Sequence, residues 1–209
     1  STTLGSVTMQ VKNGGTFIGT PTSDLNGDGI PDFQQFAQPL FGTPSGDTLT
    51  STTNTGFVWG GLGDDTLTGS VFGADILFGG GGDDTLNAGT HDEDAGNILV
   101  GGSGNDRYHI GFGEVVSIYD NAASTADTIQ IDGLSLASVT SFAFTVDNRH
   151  LGVADVNSGT YAFFWDWQTP NGKIESVFLP TDGVTYTHAE VTSLLPSSPI
   201  FTGNFTWAE

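Results

Sequence analysis

Cysteine is absent from the 209 residues. Disulfides, thiolate nucleophiles and zinc–thiolate centres are excluded together. Basic residues are nearly as scarce. Four lysines and arginines stand against 24 aspartates and glutamates, a formal net charge of −20 at pH 7. Nucleic acid is excluded as a partner, because neutralising phosphate takes lysine and arginine, and anionic membrane surfaces are excluded on the same ground. No hydrophobic run comes near the roughly 18 residues that cross a bilayer as a helix, so no membrane insertion is expected. The first residues carry no charged and apolar leader. Histidines at 91, 109, 150 and 188 are scattered, with neither a serine-centred elbow nor a zinc-binding helix pair. No catalytic constellation results, and the chain is read as a non-enzyme.

Glycine, by contrast, is abundant at 31 residues. Aromatic residues make up 11%, which argues against a disordered polar tract. The length suits one sizeable core or two small ones. The glycines fall into a pattern. Gly60-Gly61-Leu62-Gly63-Asp64-Asp65-Thr66-Leu67-Thr68, Gly79-Gly80-Gly81-Gly82-Asp83-Asp84-Thr85-Leu86-Asn87 and Gly101-Gly102-Ser103-Gly104-Asn105-Asp106-Arg107-Tyr108-His109 fit one nine-residue template. Glycines occupy its first, second and fourth places in most copies, with Asp at the sixth and a large apolar residue at the eighth. Glycine permits the positive φ of a tight curl whose carbonyls turn inward, the Asp adds a charged oxygen suited to hard Ca²⁺, and the apolar residue starts a strand facing the interior. This is the pattern of calcium-binding parallel β-rolls.

The clean copies start at residues 60, 79 and 101, intervals of 19 and 22. Each interval is close to two nonapeptides, so the three are expected to stack on one side. Weaker copies at 70–78, keeping Gly73, Asp75 and Leu77, and at 92–100, keeping Asn97 and Leu99, are expected on the other. A further copy at 42–50 keeps Asp47 and Leu49 and belongs with the clean side. Residues 51–59 have Gly56 where the Asp would stand, and no ion is expected there.

These repeats resemble the RTX (repeat-in-toxin, haemolysin-type calcium-binding) family. The resemblance implies one ion between successive turns of a side, shared by their aspartates. Carried over by position, the best pairs are Asp65 with Asp84 and Asp84 with Asp106. Further turn oxygens would come from Gly60, Leu62, Gly63 and Asp64, from Gly79, Gly81 and Asp83, and from Gly101, Ser103 and Asn105. Asp47 with Asp65 is degenerate because Ser45 replaces a glycine. Asp75 with Asn97 is weaker, Asn97 bringing no charge. Downstream, Asp120 and Asp127 resemble the acidic residues that close the last site of many such rolls, turn formation being the alternative.

A second calcium signature lies at Asp24-Leu25-Asn26-Gly27-Asp28-Gly29-Ile30-Pro31-Asp32. Oxygen-bearing side chains alternate as in an EF-hand loop, but Gln35 stands at the twelfth place and Pro31 discourages helix before it. It resembles the aspartate loops of dockerins or of FG-GAP and VCBS repeats, with Asp24, Asn26, Asp28 and Asp32 as side-chain ligands and Ile30 giving its carbonyl.

The expected fold is all-β: a parallel β-roll, a calcium-binding solenoid, followed by an antiparallel β cap. Residues 1–41 would hold short strands, the aspartate loop and a cap with Phe33, Phe36, Leu40 and Phe41. Residues 42–110 form the roll, 111–195 the β cap, and 196–209 an extended tail with Phe201, Phe205 and Trp207. Residues 90–94 read as a solvated loop. Strands are expected at 115–119, 127–131, 141–147, 151–156, 160–167 and 173–179, and a short helix at 187–195. Period-2 geometry places Tyr161, Phe163, Trp165 and Trp167 on one face. That row is read as core of the cap, with Trp165 and Trp167 nearest the surface.

The expected function is a non-catalytic extracellular protein that folds on several Ca²⁺ ions and serves structure, surface assembly or adhesion. Partners would be calcium, other copies of itself, or surface glycans. The alternatives are a secretion and folding module of a larger secreted hydrolase, or a calcium-dependent glycan-binding module. Bacterial type I export is implied by the resemblance alone.

Overall fold

The computed structural model describes residues 11–12, 16–17, 39–52, 56–71, 73–89, 96–120, 124, 126–138, 141–146, 149–169 and 174–193. The aspartate loop at 24–32, Phe33 and Phe36, the loop at 90–94 and the tail at 196–209 lie outside them.

Strands β1 (Val11–Lys12) and β2 (Thr16–Phe17) pair antiparallel. The remaining chain winds alternately through two sheets as a β-solenoid of about four turns. One sheet takes β3 (Leu40–Phe41), β5 (Gly56–Leu62), β7 (Asp75–Gly81), β9 (Asn97–Ser103), β11 (Val115–Tyr119) and β15 (Thr160–Phe164), all neighbours parallel. The other takes β4 (Thr48–Thr50), β6 (Thr66–Thr68), β8 (Thr85–Asn87), β10 (Arg107–Ile110), β12 (Thr128–Ile131) and β16 (Ser176–Leu179), again parallel. The three clean repeats and the copy at 42–50 therefore share one side, and the weaker copies share the other.

The two-residue period of a strand aims alternate side chains inward. Leu67, Leu86, Tyr108, Ile129 and Val177 face Val58, Leu77, Leu99, Val116 and Ala162 across the interior, all buried. Each fully buried Leu or Val contributes about 1.5–3 kcal/mol over exposure.

The parallel ladders do not stop at residue 110. β11, β12, β15 and β16 extend both sheets, because Val116 and Ile118, and Ile129 and Ile131, repeat the inward alternation without the full nonapeptide before them. Antiparallel pairing is confined to the margins. There β13 (Ser141–Val146) and β14 (His150–Asp155) fold back onto β15, and β17 (Val184–Thr187) pairs with β16.

Helix α1 (His188–Ser193) starts with Thr187 and Glu190 capping each other: the Thr187 N–H donates to Glu190 Oε2 at 2.8 Å, and the Glu190 N–H to Thr187 Oγ1 at 3.3 Å. It lays Val191 onto the core.

One expectation fails at the aromatic row. β15 ends at Phe164, and Asp166 takes a left-handed φ of 58°, which breaks the alternation. Trp167 turns inward and is fully buried. It meets Phe164 edge-on, stacks on His188 and donates its indole N–H to Thr192 Oγ1 at 3.0 Å. Tyr161, Phe163 and Trp165 lie on the outward face instead of in the core.

Candidate metal centre

The turn glycines do two jobs. The second and fourth of each clean repeat have positive φ, from 91° at Gly63 to 130° at Gly82 and Gly104. The first serves close approach. A Cβ at Gly60, Gly79 or Gly101 would overlap Oδ2 of Asp65, Asp84 or Asp106 respectively, the sixth-position carboxylate of its own repeat. The template thus folds each Asp back over its first glycine, beneath the next coil.

The other carboxylate oxygen locks the coils together. The backbone N–H of Asp47 donates to Asp65 Oδ1 at 2.7 Å, that of Asp65 to Asp84 Oδ1 at 2.8 Å, and that of Asp84 to Asp106 Oδ1 at 2.9 Å. The series then leaves the glycine repeats. Asp106 N–H donates to Asp127 Oδ1 at 2.7 Å, and Asp127 N–H to Glu175 Oε2 at 2.9 Å. Glu175 escaped the sequence reading because the single Gly172 before it does not make the nonapeptide template. Its signal is the acid two places before an inward apolar residue, Val177, as Asp127 precedes Ile129. A shallower series runs the opposite way: Asp83 N–H donates to Asp64 Oδ1 at 2.9 Å, and Asn105 N–H to Asp83 Oδ1 at 2.8 Å.

Oδ2 of Asp65, Asp84 and Asp106 is buried with no hydrogen-bond partner. Leaving a charged oxygen in that state costs about 1–3 kcal/mol or more. Burial is the first cause of the raised pKa values that follow, and neighbouring carboxylates add to it. Asp84 is pushed up to about 7 and Asp106 to about 6; Asp65 and Asp127 also rise. Buried Tyr108 lies beside the third carboxylate and accepts the Gly101 N–H at 3.0 Å; burial first, then Asp120 and Asp106, raise its pKa.

The donor set fits a hard divalent cation: buried carboxylate oxygens that no protein N–H or O–H reaches, glycine turns supplying carbonyls, and no basic side chain among these contacts. Asp65, Asp84 and Asp106 would hold the ions, one pair per step. Among the described residues no three His, Cys, Asp or Glu side chains converge on one point. The carboxylates come one per coil, and remaining ligands would be backbone oxygens such as those of Gly79 and Gly101, which border the same space as Oδ2 of Asp65 and Asp84.

The other expected positions differ. Asp47 Oδ2 accepts from Thr43 N–H at 2.6 Å and Thr43 Oγ1 at 2.8 Å, so its own turn satisfies it. Asp75 accepts at both oxygens, from Ser51 Oγ at 2.9 Å, Gly56 N–H at 2.6 Å and Ser70 N–H at 2.5 Å. Asn97 takes the Asp75 N–H at 2.7 Å and donates to the Ala88 carbonyl at 2.8 Å. The far side is thus closed by protein hydrogen bonds, with buried Glu114 beside the Asn97 amide at 3.4 Å. Asp120 is buried and hydrogen-bonded to Asp127, whose Oδ2 also accepts from Ser124 Oγ.

Gly79→Ala is expected to destabilise the calcium-loaded fold by about 1–3 kcal/mol, since backbone or carboxylate must shift. Gly81→Ala, whose Cβ would first meet Ser103 Oγ at 3.1 Å, is expected to stay within about 0.5 kcal/mol of the parent. Urea unfolding in calcium reads both.

No protein-family model and no curated protein matches the chain.

Proposed function

We propose that this chain is a non-catalytic calcium-binding β-roll that folds on the ion outside the cell and serves a structural, surface-assembly or adhesive role. The observation that carries the reading is the file of buried carboxylate oxygens at Asp65, Asp84 and Asp106 without hydrogen-bond partners. Without cations, the like charges oppose stacking of the coils. With cations, binding free energy becomes folding free energy. Millimolar extracellular calcium suits weak modules of this kind, and the likeness of the nonapeptides to RTX repeats supports secretion by the same kind of route.

Circular dichroism during a calcium titration tests it. The chelated chain is expected to lack the β spectrum, gain it on adding calcium, lose it again in excess chelator, and respond poorly to magnesium. An unchanged β spectrum with no heat of calcium binding would defeat the reading.

A further inference from the structure

The outer faces of the two sheets differ in chemistry. On one, the strands of the clean repeats present Thr66, Thr68, Thr85 and Asn87. On the other, the parallel register lines up Phe41, Trp59, Phe78, Val100 and Tyr119, with Trp165 following by its N–H bond to the Ile118 carbonyl. At the β11–β15 end this face opens to solvent: Tyr119 is 36% and Tyr161 40% exposed. Tyr119 stacks on Trp165 with ring centroids 5.1 Å apart, and Phe163 and His150 meet the indole edge-on at 5.0 and 4.8 Å.

The polar rim of this patch is built around strain. Asp166 is the one non-glycine residue with positive φ among those described, and strained backbone that is retained marks a placement that matters. Its carboxylate forks Arg149, with Nε to Oδ1 at 2.5 Å and Nη2 to Oδ2 at 2.8 Å. Its backbone N–H donates to His150 Nδ1 at 2.9 Å, which places the ring proton on Nε2. Arg149 is thereby held at the margin with donors left over, in a pair that carries no net charge.

We infer that this end of the face binds a neutral oligosaccharide. Exposed ring surface suits the C–H face of a pyranose, and the fixed planar groups on the rim suit paired hydroxyls. The charge balance selects the class. A chain of net charge −20 repels anionic glycans, and the rim pair of Arg149 and Asp166, with no net charge, offers hydrogen-bonding groups for hydroxyls rather than a charge for an ionic ligand.

Calorimetry and tryptophan fluorescence of the calcium-loaded chain against cellohexaose, laminarihexaose, mannohexaose and chitohexaose, with hexagalacturonate as the anionic contrast, test the inference. At least one neutral hexaose is expected to bind. Arg149→Met and Tyr161→Ala, both at exposed positions, are each expected to weaken it about tenfold, a change of about 1.4 kcal/mol. Phe112→Ala, on an exposed turn outside the patch, is expected to leave it unchanged. The inference is overturned by absence of binding across the neutral panel, by variants that bind like the parent, or by equal binding of hexagalacturonate. Self-association abolished by Tyr161→Ala, in a chain that binds none of these sugars, would give the face to a second copy and overturn it too.

Discussion

Asp84→Asn is expected to change sign between the metal-free and calcium-loaded protein. The amide keeps the shape and the acceptor, so the Asp65 N–H retains its bond to Oδ1 at position 84. What changes is the second atom, a buried unpartnered carboxylate oxygen replaced by an uncharged N–H₂. In chelator, removing that charge is expected to stabilise the fold by roughly 1–3 kcal/mol. In calcium it removes the residue shared by both inter-coil steps. At a hundredfold excess over the dissociation constant each ion is worth about 2.7 kcal/mol, so the loss is expected to reach about 5 kcal/mol. The far side already carries this solution in Asn97, whose oxygen accepts the Asp75 N–H and whose nitrogen reaches the Ala88 carbonyl. Paired urea melts decide it: destabilisation of equal size in both conditions would reduce Asp84 to a packing residue.

Acid is expected to substitute for the ion. Asp84 and Asp106 have folded pKa values of about 7 and about 6, raised from 3.8 first by burial and then by neighbouring carboxylates. A raised folded pKa means that the folded state holds protons the unfolded state has released. Its contribution is complete below about pH 4 and lost as pH rises through 6 and 7. In chelator, the melting temperature is therefore expected to fall as pH is raised from about 4 to about 7. In saturating calcium the slope is expected to reverse over the same window, because protons compete for the oxygens that take the metal. Thermal melts at four or five pH values in each condition check both slopes. A flat profile in chelator would show that these carboxylates carry no repulsion worth relieving.

The stacking of the coils was legible because two periods coincide. Leucine at the eighth place repeats with the strand alternation, and starts at 60, 79 and 101 count whole coils. Leu67, Leu86 and Tyr108 accordingly fall in register on adjacent parallel strands. Continuation of the roll past residue 110 was not legible, since Asp127 follows a segment without glycine and Glu175 one with Gly172 alone, so neither shows the nonapeptide. Their place emerges only from the partner N–H groups on Asp106 and Asp127. Asp75 carried the motif but not its environment, because Ser51 and Gly56 supply hydrogens from outside its nonapeptide. Trp167 was misplaced because alternation holds only while the strand lasts, and a single left-handed Asp166 ends it. Conformational choices at one residue are invisible to a period.

The carboxylate series has a direction. On the side of the clean repeats each of these N–H groups, from Asp47 to Asp127, is satisfied by an acid from the turn that follows it, and the last acceptor, Glu175, belongs to no repeat. A chain growing from its N-terminus can therefore never button its newest coil: the clasp is always still to come. Cut short of residue 175, the molecule would end on an open fastening, so the glycine-poor C-terminal third acts as the knot that keeps the whole row from running.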